Sequence, residues 1–109
     1  MNIEHLRYFS ELSESTSFSQ AAAKLFITQQ GLSKAISSIE KELGVELVRR
    51  NHKGVMLTNS GREFHLCAKK ILTNYDLFVE TYATNTRQDK LPNERGALIA
   101  EATAYFQSQ

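Results

Sequence analysis

The chain has 109 residues, of which 41% are hydrophobic, and its 13 lysines and arginines against 12 acidic residues give a net charge of +1. This length allows one small globular domain with an appendage and excludes two full domains. The nearly balanced total charge argues neither for nor against a nucleic-acid partner, but a local basic patch on a neutral domain is typical of a protein that contacts phosphates without coating DNA indiscriminately. One cysteine excludes an intramolecular disulfide, and without a long apolar run or a basic leader we expect a cytoplasmic protein with no membrane contact.

Three helices are predicted in the first part of the chain. A polar stretch separates the first helix from the second, and a tight turn separates the second from the third. Periodic apolar residues place the first helix at residues 3–14. Ser19 is expected to cap the second helix, which runs to about Leu25. The apolar turn residues that follow, Phe26 and Ile27, are expected to point inward.

The third helix is predicted to begin after a Thr28 cap and to end at Gly44. One face carries apolar residues at intervals of four, three and four, which predicts burial: Leu32, Ile36, Ile39 and Leu43. The opposite face is polar and mostly uncharged: Gln29, Gln30, Ser33, Lys34 and Ser37. This face is rich in side chains that can both donate and accept hydrogen bonds.

A β-hairpin is predicted after Gly44, with β-prone residues on either side of a basic turn. The turn contains four basic or titratable side chains: Arg49, Arg50, His52 and Lys53. Taken alone, such a turn is most often a solvated loop; beside a polar helix of this type, we interpret it as a wing that contacts phosphates and the minor groove. Glu40 is expected to be a structural partner and not a base contact.

A long fourth helix is predicted from Asn59 to about Tyr82, capped by Thr58. It carries an apolar stripe: Phe64, Ala68, Ile71, Leu72, Tyr75, Phe78, Val79 and Tyr82. A helix of about 24 residues extends about 36 Å, too far for so small a domain to cover, so we expect the stripe to form a homodimer or a higher oligomer. Cys67 is expected to be a small packing residue and not a metal ligand or redox switch.

The second and third helices together have the features of a helix-turn-helix that reads double-stranded DNA. An α-helix fits the major groove, where each base pair presents a distinct pattern of donors and acceptors. Gln29 and Gln30 in the first turn can pair with adenine, while Ser33 and Lys34 can reach bases or phosphates.

These residues also carry a family resemblance. The pattern comprises Ser17-Phe18-Ser19-Gln20-Ala21-Ala22-Ala23-Lys24-Leu25, Thr28-Gln29-Gln30, Leu32-Ser33-Lys34-Ala35-Ile36, Ile39-Glu40, Leu43-Gly44-Val45, Leu47, Arg50, Leu57-Thr58 and Gly61. It resembles the N-terminal DNA-binding domain of LysR-type transcriptional regulators, from about residue 2 to about residue 82. The resemblance implies a mainly α winged helix-turn-helix with a short β-hairpin wing and a long C-terminal dimerisation helix.

Carried over by position, the resemblance assigns DNA contacts to the third helix and to the wing: Gln29, Gln30, Ser33, Lys34, Arg50 and Lys53. It assigns phosphate contacts or caps to Ser19, Thr28 and Ser37. Three residues depart from the family pattern, which leaves the operator sequence open: Gln30 replaces a common proline, Lys34 a common arginine and Ala35 a longer polar residue.

The predicted organisation is a DNA-binding domain at residues 1–58, a linker and dimerisation helix at 59–82, and a polar linker with a short tail at 83–109. The resemblance implies a large effector domain after the linker helix, which these 109 residues do not include, so the chain is either a piece of a longer regulator or a natural short form. For a natural short form no small-molecule effector is expected, and no cofactor is expected for this chain. We predict a dimeric regulator on an interrupted palindrome. The alternative is a short module that titrates a full-length regulator through the fourth helix. An enzyme is the least favoured class, because no catalytic constellation is present.

Overall fold

The computed structural model describes residues 1–15 and 17–88, with side chains through residue 83. Its elements follow in the order α1 (Ile3–Ser13), α2 (Phe18–Leu25), α3 (Gln29–Leu43), β1 (Val48–Asn51), β2 (Gly54–Leu57) and α4 (Asn59–Gln88). The two strands form an antiparallel hairpin. This mainly α architecture with one hairpin confirms the predicted winged helix-turn-helix.

Side-chain caps fix where the first three helices begin. The Asn2 side chain accepts a hydrogen bond from the His5 N–H at 2.8 Å, and Thr28 Oγ1 accepts from the Gly31 N–H at 2.9 Å. Each cap satisfies a backbone donor that has no partner within the helix. The predicted caps of α1 and α3 are therefore confirmed, and so is the end of α3 at Gly44, which adopts a left-handed φ of 73°.

The predicted cap of α2 was wrong by two residues. Ser17, with an extended backbone, is the cap, and its hydroxyl accepts from the Gln20 N–H at 3.1 Å. Ser19 instead lies exposed in the first turn of the helix. Starting the helix at Phe18 turns that ring into the core, where it is 7% exposed, so burial of the aromatic favours the earlier start.

The expectation that Phe26 points inward was also wrong. Phe26 ends α2 in the left-handed region, with φ 59° and ψ 39°, and its side chain is 94% exposed. The Phe26 and Ile27 N–H groups close the helix by donating to the Ala23 and Ala22 carbonyls, and this reversal directs the Phe26 side chain outward. Ile27 takes the inward position and packs on the core.

The main core lies where α1, α2 and α3 meet the start of the hairpin. Its fully buried large side chains come from α1, from α3 and from the residue before β1: Phe9, Leu12, Leu32, Ile36, Ile39 and Leu47. Helix α2 contributes Phe18, Ala21 and Ala22 to the same core. Three of the four residues predicted for the buried face of α3 are confirmed, but Leu43 is 42% exposed. Leu43 lies in the last turn, beyond the reach of the core, and Ala35 completes the buried face instead.

The hairpin is joined to α4 through the backbone of Leu47. The Leu47 carbonyl accepts from the Thr58 N–H at 3.0 Å, and the Thr58 hydroxyl donates to the Glu46 carbonyl at 2.6 Å. Thr58 Oγ1 also accepts from the Gly61 N–H at 2.9 Å, which confirms it as the cap of α4. Gly61 approaches so closely that a Cβ there would lie 2.0 Å from the Leu47 carbonyl oxygen.

The chain falls into two compact units, Met1–Leu72 and a second that begins at Thr73. Helix α4 runs to Gln88, six residues beyond its predicted end at Tyr82, so the predicted polar linker does not begin at residue 83. The sequence explains the extension, because it contains no glycine or proline between residues 83 and 91 to end the helix. The tail predicted for the remaining residues lies outside the described part of the chain.

Over residues 1–15 and 17–88, none of the helices combines the length and the apolarity that crossing a bilayer requires.

The close approach at Gly61 predicts that Gly61→Ala destabilises the domain. Helix propensity alone would make alanine more stable than glycine by about 1 kcal/mol. The added methyl group would meet the Leu47 carbonyl, and we expect the free energy of unfolding to fall by about 2 kcal/mol instead. Urea denaturation measures the change, with Ser60→Ala in the same turn as a control. An unfolding free energy equal to or above that of the unmodified chain would contradict the contact.

Candidate nucleic-acid interface

The N-terminal half of α3 presents a polar surface opposite the core. Gln29, Gln30, Lys34 and Ser37 are exposed and Ser33 is half-buried, while Leu32 and Ile36 on the other side are 0% and 2% exposed. The Thr28 cap fixes where the first turn of α3 begins. Burial of Leu32 and Ile36 on one side of the helix then leaves the polar side chains on the other side facing outward. The structure thus brings together all five predicted polar residues of α3 on its outer surface.

Three further residues singled out from the sequence lie outside this polar surface of α3. Thr28 uses its side-chain oxygen to cap α3, and Ser19 is exposed near the start of α2. Ala35, which stands where the family often has a longer polar residue, is 7% exposed and belongs to the core. Its small size therefore bears on helix packing and not on contact with a partner.

The hairpin supplies the basic part of the site. Asn51 pairs with Gly54 across a two-residue turn formed by His52 and Lys53, both exposed. The Asn51 side-chain oxygen accepts from the Lys53 N–H at 2.8 Å, which fixes the shape of the turn. Arg49 forms an exposed ion pair with Glu46 at 3.4 Å. The wing therefore places an ammonium group at its tip on an ordered backbone.

Arg50 connects the wing to the helices. Its Nη2 donates to Ser33 Oγ at 2.5 Å, and its guanidinium carbon lies 3.7 Å from the centroid of the Phe18 ring. The sequence indicated Arg50 and Ser33 as separate contact residues and missed their interaction with each other and with Phe18. No local pattern could reveal a contact between side chains that are 17 residues apart.

Glu40 orders the start of the hairpin. Its Oε2 accepts from the backbone N–H of Leu47 at 2.7 Å and from that of Val48 at 3.3 Å. These contacts confirm the structural role predicted for Glu40. They also place β1 relative to α3, so they determine where Arg50 and the tip of the wing lie with respect to Ser33.

The residues predicted for dimerisation divide into two groups. Ala68 and Leu72 are 0% and 8% exposed and pack with Leu6 of α1. Phe64 meets Phe9 edge to face, with ring centroids 4.9 Å apart. Helix α1 of the same chain already covers these three side chains of α4.

The second group is accessible. Ile71, Tyr75, Phe78 and Val79 are between 42% and 47% exposed, and Tyr82 is half-buried with its ring centroid 4.7 Å from that of Phe78. Of the eight predicted residues, four are therefore exposed, Phe64 and Tyr82 are half-buried, and Ala68 and Leu72 are buried.

Cys67 is exposed, which corrects its predicted packing role; the neighbouring Ala68 takes the inward position. In the part of the chain that the structure describes, histidine, cysteine and acidic side chains form no cluster that could hold a metal ion.

Comparisons with known proteins agree with the fold. Residues 3–62 match the family model of bacterial regulatory helix-turn-helix proteins of the lysR family. The chain is 43% identical over 79 residues to the HTH-type transcriptional regulator BenM of Acinetobacter baylyi, covering 72% of this chain and 26% of that protein. It is 41% identical over 78 residues to the uncharacterised HTH-type regulator YnfL of Escherichia coli, covering 70% of this chain and 26% of YnfL. The chain thus spans about a quarter of the length of these relatives.

Solved structures resemble the chain over the same region. The BenM DNA-binding domain in complex with catB site 1 DNA has a TM-score of 0.75 and 40% identity, covering 79% of this chain and 96% of that one. The DNA complex of the CbnR DNA-binding domain has a TM-score of 0.73 and 28% identity, covering 79% of this chain and 99% of that one.

The role of Glu40 predicts that Glu40→Ala weakens the domain. Loss of the carboxylate would leave the N–H of Leu47, a residue only 1% exposed, without its partner, at a cost of about 1–3 kcal/mol in the free energy of unfolding. Glu42→Ala is the matched control, because Glu42 forms only an exposed ion pair with the N-terminus, worth at most about 1 kcal/mol. Chemical denaturation compares the two variants. Equal destabilisation would contradict the assignment.

Proposed function

From the premise that this chain belongs to the lysR family of bacterial regulatory helix-turn-helix proteins, we propose that it is a sequence-specific DNA-binding transcriptional regulator. The observation that carries the proposal is the uncharged polar surface of α3 beside the basic wing. An amide side chain such as Gln29 can pair with a base edge in the major groove, while the ammonium group of Lys53 can approach phosphate in the adjoining minor groove.

The charge of the chain supports separate roles for the cationic and the neutral side chains of this site. With a net charge of +1, the protein has little general attraction for DNA, and a few local cations must position it on the phosphates. Lys34, Arg50 and Lys53 are exposed on α3 and the wing. Sequence discrimination then rests on hydrogen bonds from the neutral side chains of α3, each well-formed bidentate contact contributing roughly 1–3 kcal/mol.

We further propose that the protein acts as a homodimer through α4 on an interrupted palindrome, with the two α3 helices in successive major grooves about 34 Å apart. The support is the group of exposed apolar side chains on α4, which water disfavours. Helix α4 continues past Tyr82, so the proposed division becomes a DNA-binding domain at residues 1–58 and a dimerisation helix at 59–88.

The alternative is a module that titrates a longer regulator through α4. The same exposed side chains favour it, but it leaves the polar surface of α3 unused. Because the family consists of transcriptional regulators, we also propose that the chain acts in the cytoplasm, without catalysis and without a cofactor.

Two substitutions separate base contacts from phosphate contacts. We expect Gln29→Ala to lose preference at one base pair, by about 1–3 kcal/mol. Lys53→Ala should weaken binding evenly across sequences and lower the slope of log affinity against log salt concentration by about one. In vitro site selection followed by fluorescence anisotropy measures both effects. Binding of the unmodified chain that does not distinguish selected from random duplexes would refute the proposed function.

Disrupting the apolar surface of α4 should separate the two protomers. We expect Phe78→Glu to shift a dimer to monomer and to lower affinity for a palindrome to that for one half-site, because a charge would be buried in the interface. Leu77→Glu is the matched control: Leu77 is 59% exposed and lies about 100° around the helix from Phe78. Sedimentation and anisotropy report the two states. A Phe78→Glu variant that stays dimeric would contradict this interface.

A further inference from the structure

Three elements meet at one side chain, Arg50 of β1. Its guanidinium donates to Ser33 Oγ on α3 at 2.5 Å and lies 3.7 Å from the centroid of the Phe18 ring on α2. Phe18 is 7% exposed, so the ring is held by the core and offers a fixed platform to the cation. The arginine is therefore oriented from two sides, and the Ser33 hydroxyl is held by an oriented donor.

The direction of this hydrogen bond follows from chemistry. A guanidinium has five N–H donors and no acceptor, whereas a hydroxyl has one O–H donor and two acceptor lone pairs. Ser33 must therefore accept from Arg50. With one lone pair occupied and a positive charge beside it, the hydroxyl proton is favoured on the side that faces away from the guanidinium.

Ser33 differs in this respect from two other serines of the chain. The hydroxyls of Ser13 and Ser15 donate to the carbonyls of Phe9 and Glu11, at 2.8 Å and 2.9 Å, so their protons are already used. Among the described residues, no acceptor takes the proton of Ser33. Its donor stays available on the surface that carries Gln29, Gln30 and Lys34.

We propose that Arg50 is a positioning residue that makes Ser33 a hydrogen-bond donor to DNA. This inference rests on the proposed function, in which α3 enters the major groove. A donor at Ser33 favours base edges that present acceptors, such as guanine N7 and O6, adenine N7 or thymine O4. It disfavours the cytosine amino group, which is a donor and which the nearby guanidinium repels. Arg50 thereby contributes to specificity without having to contact the base itself.

A double-mutant cycle on the full chain tests the coupling. The variants are Ser33→Ala, Arg50→Met and both together, with Arg49→Met as the matched control. Arg49 is the neighbouring wing arginine, and its partner is Glu46, not Ser33. Site selection with the unmodified chain first identifies the base pair at which Ser33→Ala loses preference. Anisotropy on duplexes that carry each of the four base pairs there then measures discrimination.

We expect Arg49→Met to weaken binding by a similar factor on all four duplexes. Arg50→Met should also lower discrimination at the Ser33 base pair, by about fivefold, the equivalent of one neutral hydrogen bond. The double variant should discriminate no less than Ser33→Ala alone, because the two residues act through the same hydrogen bond.

Phe18→Leu provides a second measurement that leaves every charge in place. It removes the ring beneath the guanidinium while keeping an apolar side chain in the core, and we expect partial loss of discrimination at the same base pair. This variant also decides the matter if Arg50→Met fails to fold by circular dichroism.

The outcomes distinguish this inference from the proposed function. If the unmodified chain selects no sequence, the proposed function fails. If it does select a sequence, but Arg50→Met changes all four duplexes by one factor and Phe18→Leu changes none of them, the coupling of Arg50 to Ser33 is wrong while sequence-specific binding stands. Additive losses of discrimination from Ser33→Ala and Arg50→Met would likewise overturn it.

Discussion

The backbone of Leu47 is the point on which the placement of the wing depends. Its N–H donates to Glu40 of α3 at 2.7 Å, its carbonyl accepts from Thr58 at 3.0 Å, and its side chain is 1% exposed in the core. One residue therefore ties the hairpin to the helix before it and to the helix after it. A two-stranded hairpin alone is marginally stable in water, so these anchors give the wing its fixed position.

The fixed position of the wing lowers the entropy cost of the hydrogen bond between Arg50 and Ser33. A side chain on a mobile hairpin would lose much of its hydrogen-bond energy to conformational entropy. Here β1 begins at a backbone that Glu40 and Thr58 hold, and Arg50 lies only three residues beyond Leu47. Because Arg50 is so near Leu47 along the chain, the contacts that hold Leu47 in the core also restrict where the Arg50 guanidinium can lie on the surface.

Much of this fold follows from local rules, and the exceptions have physical causes. The caps at Asn2 and Thr28, the glycine at the end of α3 and most of the buried face of α3 were predictable, because each depends on neighbours within one or two helical turns. Phe26 was not, because the closing of α2 in a left-handed conformation outweighed the preference of an aromatic side chain for burial. The partners of Arg50 and of Ala68 lie far away in sequence, so periodicity could locate these residues on their elements but not identify what they contact.

Helix α4 shows why an apolar stripe does not by itself define an interface. Its N-terminal part is needed to complete the domain, since Ala68 and Leu72 cover Leu6 and Phe64 covers Phe9. Water-accessible apolar surface remains at Ile71 and beyond it at Tyr75, Phe78 and Val79. The sequence presents both groups as one continuous pattern because the same spacing serves the core and the exposed surface. If the exposed group pairs two protomers, the residues that dimerise lie on the same helix as those that complete the core.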